Sequence, residues 1–298
     1  MKVYTFGDPA APAILLLPGT CCHWKGNFGH VIPLLERDFY VLCVSYDGFD
    51  ETEQTGFSSM LAETEKIEAY LKEHCGGHIR AAYGCSLGGS FVGLLAARGN
   101  IHMDYGILGS SDLDQASALT AKLQTELLVP LIYPVIRDGQ FKSRLLRKEM
   151  EKRIQQMGDY VKAFMTMLGG ARPYVTARSC KNQFYSDLVT PLPDKIDVPG
   201  TEIRIFYALK MGEKYRARYQ QHFAHPIIHE QDMQCWPAIR RRGCSLCVRS
   251  PAGKRRRCEG ADRYTDTMTR QGGISHETEL SYSKFSTDGG AALSGACR

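Results

Sequence analysis

The stretch IRAAYGCSLGGSFVGLLAA, residues 79–97, constrains the fold of this chain more than any other segment. An apolar run of strand character ends at Gly84, and small and apolar residues suited to a helix follow Gly89. Ser86 stands between them in the pattern Gly-x-Ser-x-Gly, where a sharp strand-to-helix turn requires small neighbours two residues away. The N-terminus of the following helix supplies oriented N–H groups. We therefore predict that Ser86 is a nucleophile.

The first 234 residues alternate apolar strands with amphipathic helices. Continuous apolar runs such as Ala13–Leu17 are typical of strands that are buried on both faces. The other predicted strands are Phe39–Tyr46, Ile79–Tyr83, Tyr105–Leu108, Glu202–Leu209 and Pro226–Gln231. The predicted helices between them are Asn27–Leu35, Glu63–Cys75 and Ser90–Arg98. This alternation predicts an α/β protein with a mostly parallel sheet flanked by helices.

Changes of pattern along the chain predict four parts. Residues 1–114 form the first part of the core, and residues 196–234 form its last strands. Residues 115–195 lack strand-like runs and predict an inserted helical cap, with helices Leu123–Ile136, Phe141–Met157 and Tyr160–Leu168. Residues 235–298 lose apolar periodicity and are rich in basic runs, glycine, serine and threonine, so we predict a disordered tail.

On the motif Gly84-Cys85-Ser86-Leu87-Gly88 between a strand and a helix, residues 1–234 resemble the α/β-hydrolase superfamily. The resemblance implies a serine hydrolase that acts on a carboxylic ester or related acyl substrate through an acyl-enzyme on Ser86. It also implies an oxyanion hole formed by the N–H of Leu87 and an N–H of the loop Leu17–Trp24, by position that of Thr20. Neither a metal nor an organic cofactor is implied.

The resemblance further implies an acidic residue that orients the catalytic histidine. Glu213 follows the strand predicted at Glu202–Leu209 and is the first candidate. Asp112 follows the preceding strand and is the alternative. We expect His23 and Trp24 to shape the substrate pocket, because they lie on the loop that contains Thr20. We predict no metal there, since adjacent cysteines such as those before His23 cannot easily bind one tetrahedral ion.

The histidine of the family follows the last strand, but here the corresponding loop begins Asp232-Met233-Gln234-Cys235. The next histidine in the chain is His276. Residues 235–298 also contain no amphipathic helix that could close the sheet. A shifted reading frame in residues 235–298 would explain both absences. Alternatively, the tail is native, and its thiols, including the pair Cys244 and Cys247, would bind zinc.

Three functions therefore remain open at the level of sequence. The first is hydrolysis of an acyl substrate on Ser86. The second is a catalytically impaired or small-molecule-binding protein, because removal of a catalytic base costs on the order of 10⁴–10⁶ in rate. The third is acyl transfer to an acceptor other than water. The identity of the substrate and the oligomeric state do not follow from the sequence.

The distribution of charge argues against a nucleic-acid partner for the main part of the chain. The net charge of +5 comes from residues 235–298, which contain 12 Lys/Arg and 6 Asp/Glu, whereas residues 1–234 contain 25 and 26. The early apolar run Ala13–Leu17 is too short for a signal peptide or a membrane span. Eleven cysteines without an export signal favour reduced thiols. We expect a cytoplasmic protein.

Overall fold

A computed structural model describes residues 1–139 and 167–231. The predicted helix Phe141–Met157, most of the predicted helix at 160–168 and the tail 235–298 lie outside the described residues. The question of a shifted reading frame and the zinc alternative concern that tail. None of the helices in the described ranges is both long and apolar enough to cross a bilayer.

The described residues form a seven-stranded sheet with the order β1-β3-β2-β4-β5-β6-β7. The strands are β1 (Lys2–Phe6), β2 (Ala13–Leu17), β3 (Tyr40–Ser45), β4 (His78–Cys85), β5 (His102–Gly109), β6 (Glu202–Ala208) and β7 (Ile227–Gln231). Only β1 runs antiparallel to its neighbour, β3. All other pairs are parallel, so the predicted fold class is confirmed for this part of the chain.

Helices cover the sheet and connect its strands. They are α1 (Trp24–Phe28), α2 (Ile32–Leu35), α3 (Met60–Cys75), α4 (Leu87–Arg98), α5 (Ala118–Asp138), α6 (Ala177–Val189) and α7 (Glu213–His222), with a short 3₁₀ turn at Leu209–Met211. The predicted helix Asn27–Leu35 is instead two short helices. The second of them contains Pro33, which has no N–H to donate and therefore favours the first turn of a new helix over the interior of a long one.

The two faces of the sheet are both buried, as the continuous apolar strands predict. Leu15 and Leu17 belong to the larger hydrophobic cluster, which packs against α3 and α4. Their neighbours Ile14 and Leu16 point to the other face and pack against residues of α1 and α2. The next strand in the sheet, β4, is the central one of the seven, and its C-terminal end leads to Ser86.

The chain between β5 and β6 contains α5 and α6. Both helices lie over the C-terminal ends of the central strands. Residues of each helix line the cleft described below. The two helices pack against each other. The division of the chain into core, cap and tail stays a prediction.

Candidate active site

Ser86 occupies a strained backbone conformation between β4 and α4. Its φ and ψ are 51° and −117°, which non-glycine residues rarely adopt. A Cβ on Gly84 would lie 1.9 Å from the carbonyl oxygen of Gly88, and one on Gly88 would lie 2.1 Å from that of Leu17. Both glycines of the motif are therefore required by close backbone contacts. The turn is held by the N–H of Ser86, which donates to the carbonyl of Gly109 at 2.8 Å.

The loop after β2 passes directly beside the serine. A Cβ built on Gly19 would lie 3.6 Å from the Cβ of Ser86, and Thr20 lines the same cleft as Ser86. The N–H of Gly19 donates to the side-chain oxygen of Asn27 at 2.9 Å, which fixes the start of this loop. The predicted oxyanion-hole loop therefore lies next to the predicted nucleophile.

Two N–H groups near Ser86 have no acceptor in the part of the chain that the structure describes. They belong to Thr20 and to Leu87, the first residue of α4. The other N–H groups of residues 19–23 are all bonded. Such unpaired donors beside a nucleophile are what stabilisation of an oxyanion requires.

Cys21 is held in a strained conformation by residues from the chain segment between β5 and β6. Its φ is 54°. Its N–H donates to the Oε1 of Gln183 on α6 at 2.7 Å, and its carbonyl accepts a hydrogen bond from the guanidinium of Arg172. His23, two residues after Cys21, donates its N–H to the carbonyl of Met167 at 2.9 Å. The geometry of the loop around Thr20 therefore depends on that segment.

A cleft opens at Ser86 and encloses about 450 Å³, including space open to solvent. Its lining comes from the loops after β2, β4 and β5 and from α5 and α6: Thr20, Ser86, Asp112, Asp114, Gln124, Thr125, Leu128, Phe184, Asp187 and Leu188. Ligands of parallel α/β sheets bind at this end of the strands.

Asp112 lies in this cleft on the loop after β5. Its side chain is largely buried, and burial followed by the negative charge of Asp114 raises the pKa of Asp112 to about 7. The loop is strained, because Ser110 and Leu113 have φ values of 50° and 49°. Asp112 thus has both the position and the environment of a functional carboxyl group.

Helix α7 anchors the loop that carries Asp112. Arg218 donates to the backbone carbonyl of Asp112 at 3.0 Å and forms an ion pair with the carboxylate of Asp114. The hydroxyl of Tyr219 donates to the carbonyl of Ser111. Within the described residues, the carboxylate of Asp112 accepts one long hydrogen bond, from the N–H of Asp114 at 3.4 Å.

The raised pKa of Asp112 predicts a specific dependence of stability on pH. Between about pH 4 and pH 7 the folded chain keeps a proton on Asp112 that the unfolded chain releases, so the free energy of unfolding falls as pH rises through this range. Asp112→Asn has no carboxyl group to ionise, so its stability does not fall in this way as pH rises. We expect the variant to gain up to about 4 kcal/mol over the native chain at pH 8 and little at pH 4, since one pKa unit is about 1.4 kcal/mol.

Urea unfolding of both proteins at the two pH values checks this expectation. Glu126→Gln is the matched control, because it removes an exposed carboxylate that pairs with Lys181 on the surface. An equal gain for Asp112→Asn at pH 4 and pH 8 would contradict it.

The other predicted site residues lie away from the cleft lining. Glu213 begins α7 with its side chain 81% exposed, and its carboxylate is 3.9 Å from Arg216. His23 caps the N-terminus of α1, and its Nε2 is 2.9 Å from the carboxylate of Glu51. Trp24 is buried and stacks on Tyr4, with ring centroids 4.3 Å apart. The structure brings together Ser86, Thr20 and Asp112, with Leu87 next in sequence, but not Glu213, His23 or Trp24.

No histidine of residues 1–139 and 167–231 lines the cleft. His222 bonds the carbonyl of Pro193 at 3.1 Å, and His229 stacks on Phe206. Both histidines therefore have structural contacts outside the cleft. The loop after β7 begins at residue 232, outside the described residues.

A group of possible metal ligands lies at the opposite end of β4 and β5. His78, His102 and Asp104 bring their ligand atoms within 4.8 Å of one another. However, the carboxylate of Asp104 already contacts His78 at 2.8 Å and Arg80 at 2.7 Å. The cationic guanidinium satisfies this carboxylate and disfavours a second cation beside it.

Sequence reasoning missed Asp187, which contributes a third carboxyl group to the cleft from α6. Burial raises the pKa of Asp187 well above its ordinary range, and the charge of Asp112 raises it further. The sequence gives little indication that Asp187 lies on a buried helix, because α6 lacks the apolar stripe by which such a helix is usually identified.

Comparisons with known proteins agree with this architecture. No family model and no curated protein sequence matches the chain. Among solved structures, it is similar to an α/β-hydrolase family protein from Desulfitobacterium hafniense, with a TM-score of 0.64 and 16% identity over 79% of this chain and 93% of that one.

Two other solved structures show the same likeness. An enol-lactonase from Burkholderia xenovorans LB400 has a TM-score of 0.54 and 17% identity over 90% of this chain and 95% of that one. A carboxylesterase structure from Nitrososphaera gargenis has a TM-score of 0.54 and 11% identity over 77% of this chain and 85% of that one. The chain therefore has the α/β-hydrolase fold.

Proposed function

We propose that the chain is a serine hydrolase that cleaves a carboxylic ester or a related acyl substrate. The observation that carries this proposal is the strained turn at Ser86, with the unpaired N–H groups of Thr20 and Leu87 on its two sides. Strain at a serine is retained only where the surrounding structure compensates for it, and it is common at functional sites. The solved structures with the same fold include an enol-lactonase and a carboxylesterase, which supports acyl chemistry.

In the proposed reaction, the Oγ of Ser86 attacks the carbonyl carbon of the substrate. The carbonyl oxygen gains negative charge, and the N–H groups of Thr20 and Leu87 stabilise it. The proton of Ser86 passes to a base and then to the leaving alcohol, which departs as the acyl-enzyme forms. Water then attacks the acyl-enzyme by the same route and releases the acid. An acceptor alcohol or amine in place of this water would give acyl transfer.

We assign the orienting acid to Asp112 in preference to Glu213. Asp112 lines the cleft with Ser86, whereas the carboxylate of Glu213 is exposed and close to Arg216. An acid in this role stays beside the base and stabilises its charged form. No histidine of the described residues lines the cleft, and the sequence outside them contains one histidine, His276.

A second candidate function is a small-molecule-binding protein that uses the same cleft. It is favoured by one observation, namely that no histidine of the described ranges lines the cleft. In such a protein the donors and the carboxyl groups would bind a ligand without cleaving it.

Labelling with a fluorophosphonate separates the two functions. We expect covalent modification of Ser86, located by mass spectrometry of the peptide that contains it, and no modification at position 86 in Ser86→Ala. His276→Ala tests whether the tail supplies the base, because loss of that base slows labelling as well. An inert Ser86 in a chain that an ester nevertheless stabilises against unfolding would support the binding protein instead.

A further inference from the structure

Helix α6 presents an aromatic ring and a carboxyl group to the cleft. Phe184 and Asp187 are three residues apart and therefore lie on the same face of the helix. Asp112 adds a second carboxyl group from the opposite loop. Among the described residues that line the cleft there is no lysine, arginine or histidine.

The carboxyl groups of this cleft are not balanced by charge within the described residues. Arg218 forms an ion pair with Asp114 and its charge also lowers the pKa of Asp112, but no cation of these residues forms a salt bridge with the carboxylate of Asp112 or Asp187. A buried carboxylate without a partner is costly, so such groups are paired with a cation or hold a proton. Burial raises the pKa of both groups, and the charge of a neighbouring carboxylate raises each further, so the charged forms of Asp112 and Asp187 are disfavoured in the cleft.

A buried hydroxyl group in the same cleft also lacks a partner. The side chain of Thr125 is only 4% exposed and lines the cleft from α5. Its Oγ1 has no hydrogen-bond partner among the described residues. Because buried polar atoms are normally bonded, this atom is available to a ligand that enters the cleft.

We propose that Asp187 and Phe184 form a subsite for a cationic group, of the alkylammonium class, in the substrate. The carboxylate supplies the opposite charge, and the ring supplies an apolar face that attracts cations. Anionic substrates are disfavoured at the same place by the carboxyl groups of Asp112 and Asp187. This inference rests on the proposed function and names the substrate class of that site.

A pair of isosteric esters tests the subsite. Butyrylcholine, the choline ester of butyric acid, and 3,3-dimethylbutyl butyrate differ in one atom, a quaternary nitrogen in the first and a carbon in the second. We expect the native chain to cleave the cationic ester with a kcat/KM about tenfold higher, and the ratio to fall to about one in Asp187→Asn. Phe184→Leu keeps apolar volume but removes the ring face, so its ratio falls between the two. Glu126→Gln, which removes an exposed carboxylate of α5, keeps the ratio of the native chain.

Binding provides a readout that does not depend on turnover. Titration calorimetry of the same four proteins measures their affinities for choline and for 3,3-dimethylbutanol. We expect the ratio of these affinities to change among the variants as the ratio of kcat/KM does. A ratio of about one in the native chain, or a ratio that Asp187→Asn leaves unchanged, overturns the subsite. Failure of the proposed function is distinct, because Ser86 then stays unlabelled by fluorophosphonate and neither ester is cleaved, while the choline preference and its loss in Asp187→Asn remain measurable.

Discussion

Asp112→Asn lowers ester cleavage about 10⁴-fold, whereas Glu213→Gln changes it by less than about twofold. The first value is the loss expected when an asparagine replaces the acid and holds the base in the wrong tautomer. The second value follows from the exposed position of Glu213, whose carboxylate lies 3.9 Å from Arg216 and does not line the cleft. Steady-state kinetics on an activated ester such as p-nitrophenyl butyrate give both values.

The pair of variants is matched, because each replaces a carboxylate by its amide without a change in shape. Circular dichroism and the midpoint of thermal unfolding establish that both proteins are folded. A large loss of ester cleavage in Glu213→Gln together with a small loss in Asp112→Asn would show that the orienting acid is Glu213, after β6. Equal small losses in both would show that neither carboxylate orients a base.

Gly88→Ala destabilises the fold by about 3 kcal/mol or more. Its Cβ would lie 2.1 Å from the carbonyl oxygen of Leu17 and 2.8 Å from the carbonyl carbon, and both atoms belong to the backbone of a buried central strand. Alanine favours a helix over glycine by about 1 kcal/mol, but this gain is smaller than the cost of separating α4 from β2. The free energy of unfolding in urea measures the difference.

Gly56→Ala is the control for this substitution. A Cβ on Gly56 would have its nearest neighbour at 3.8 Å, the hydroxyl of Ser179, which is ordinary contact. We expect this variant to be within about 1 kcal/mol of the native chain. If Gly88→Ala were as stable as Gly56→Ala, the close packing at the Ser86 turn would be refuted.

The central strands and the serine turn were predictable because each leaves a local signature. Ala13–Leu17 is apolar at every position, as a strand with both faces covered must be, and it forms β2 with the predicted bounds. The pattern around Ser86 reports a steric requirement of the backbone, and the conformation at Ser86 is the strained one that the pattern predicts.

Helix α6 could not be predicted from periodicity because it packs through polar side chains. Its fully buried residues are Ser179, Cys180, Gln183 and Ser186. The hydroxyls of Ser179 and Ser186 accept hydrogen bonds from the N–H groups of Phe57 and Met60. Such contacts join segments more than 120 residues apart and leave no repeating apolar pattern in the sequence.

The choice between the two candidate acids also exceeded what spacing along the chain can decide. Glu213 and Asp112 both follow strands of the parallel sheet, so both reach the same end of it. What separates them is that a 3₁₀ turn and the start of α7 direct Glu213 to solvent, whereas a strained loop holds Asp112 inside the cleft. Exposure of a single side chain depends on this three-dimensional packing.

The hydrogen bond from the N–H of Cys21 to Gln183 connects helix α6 to the loop that carries Thr20. Gln183 is adjacent on α6 to Phe184, which lines the cleft, and Cys21 is adjacent to Thr20, whose N–H is a proposed oxyanion donor. A substrate group that contacts Phe184 therefore lies one residue away from a side chain that holds the loop of the proposed oxyanion donor. We therefore expect that substrates without the group that contacts α6 lose kcat as well as affinity, because binding energy gained far from the scissile bond can stabilise the transition state.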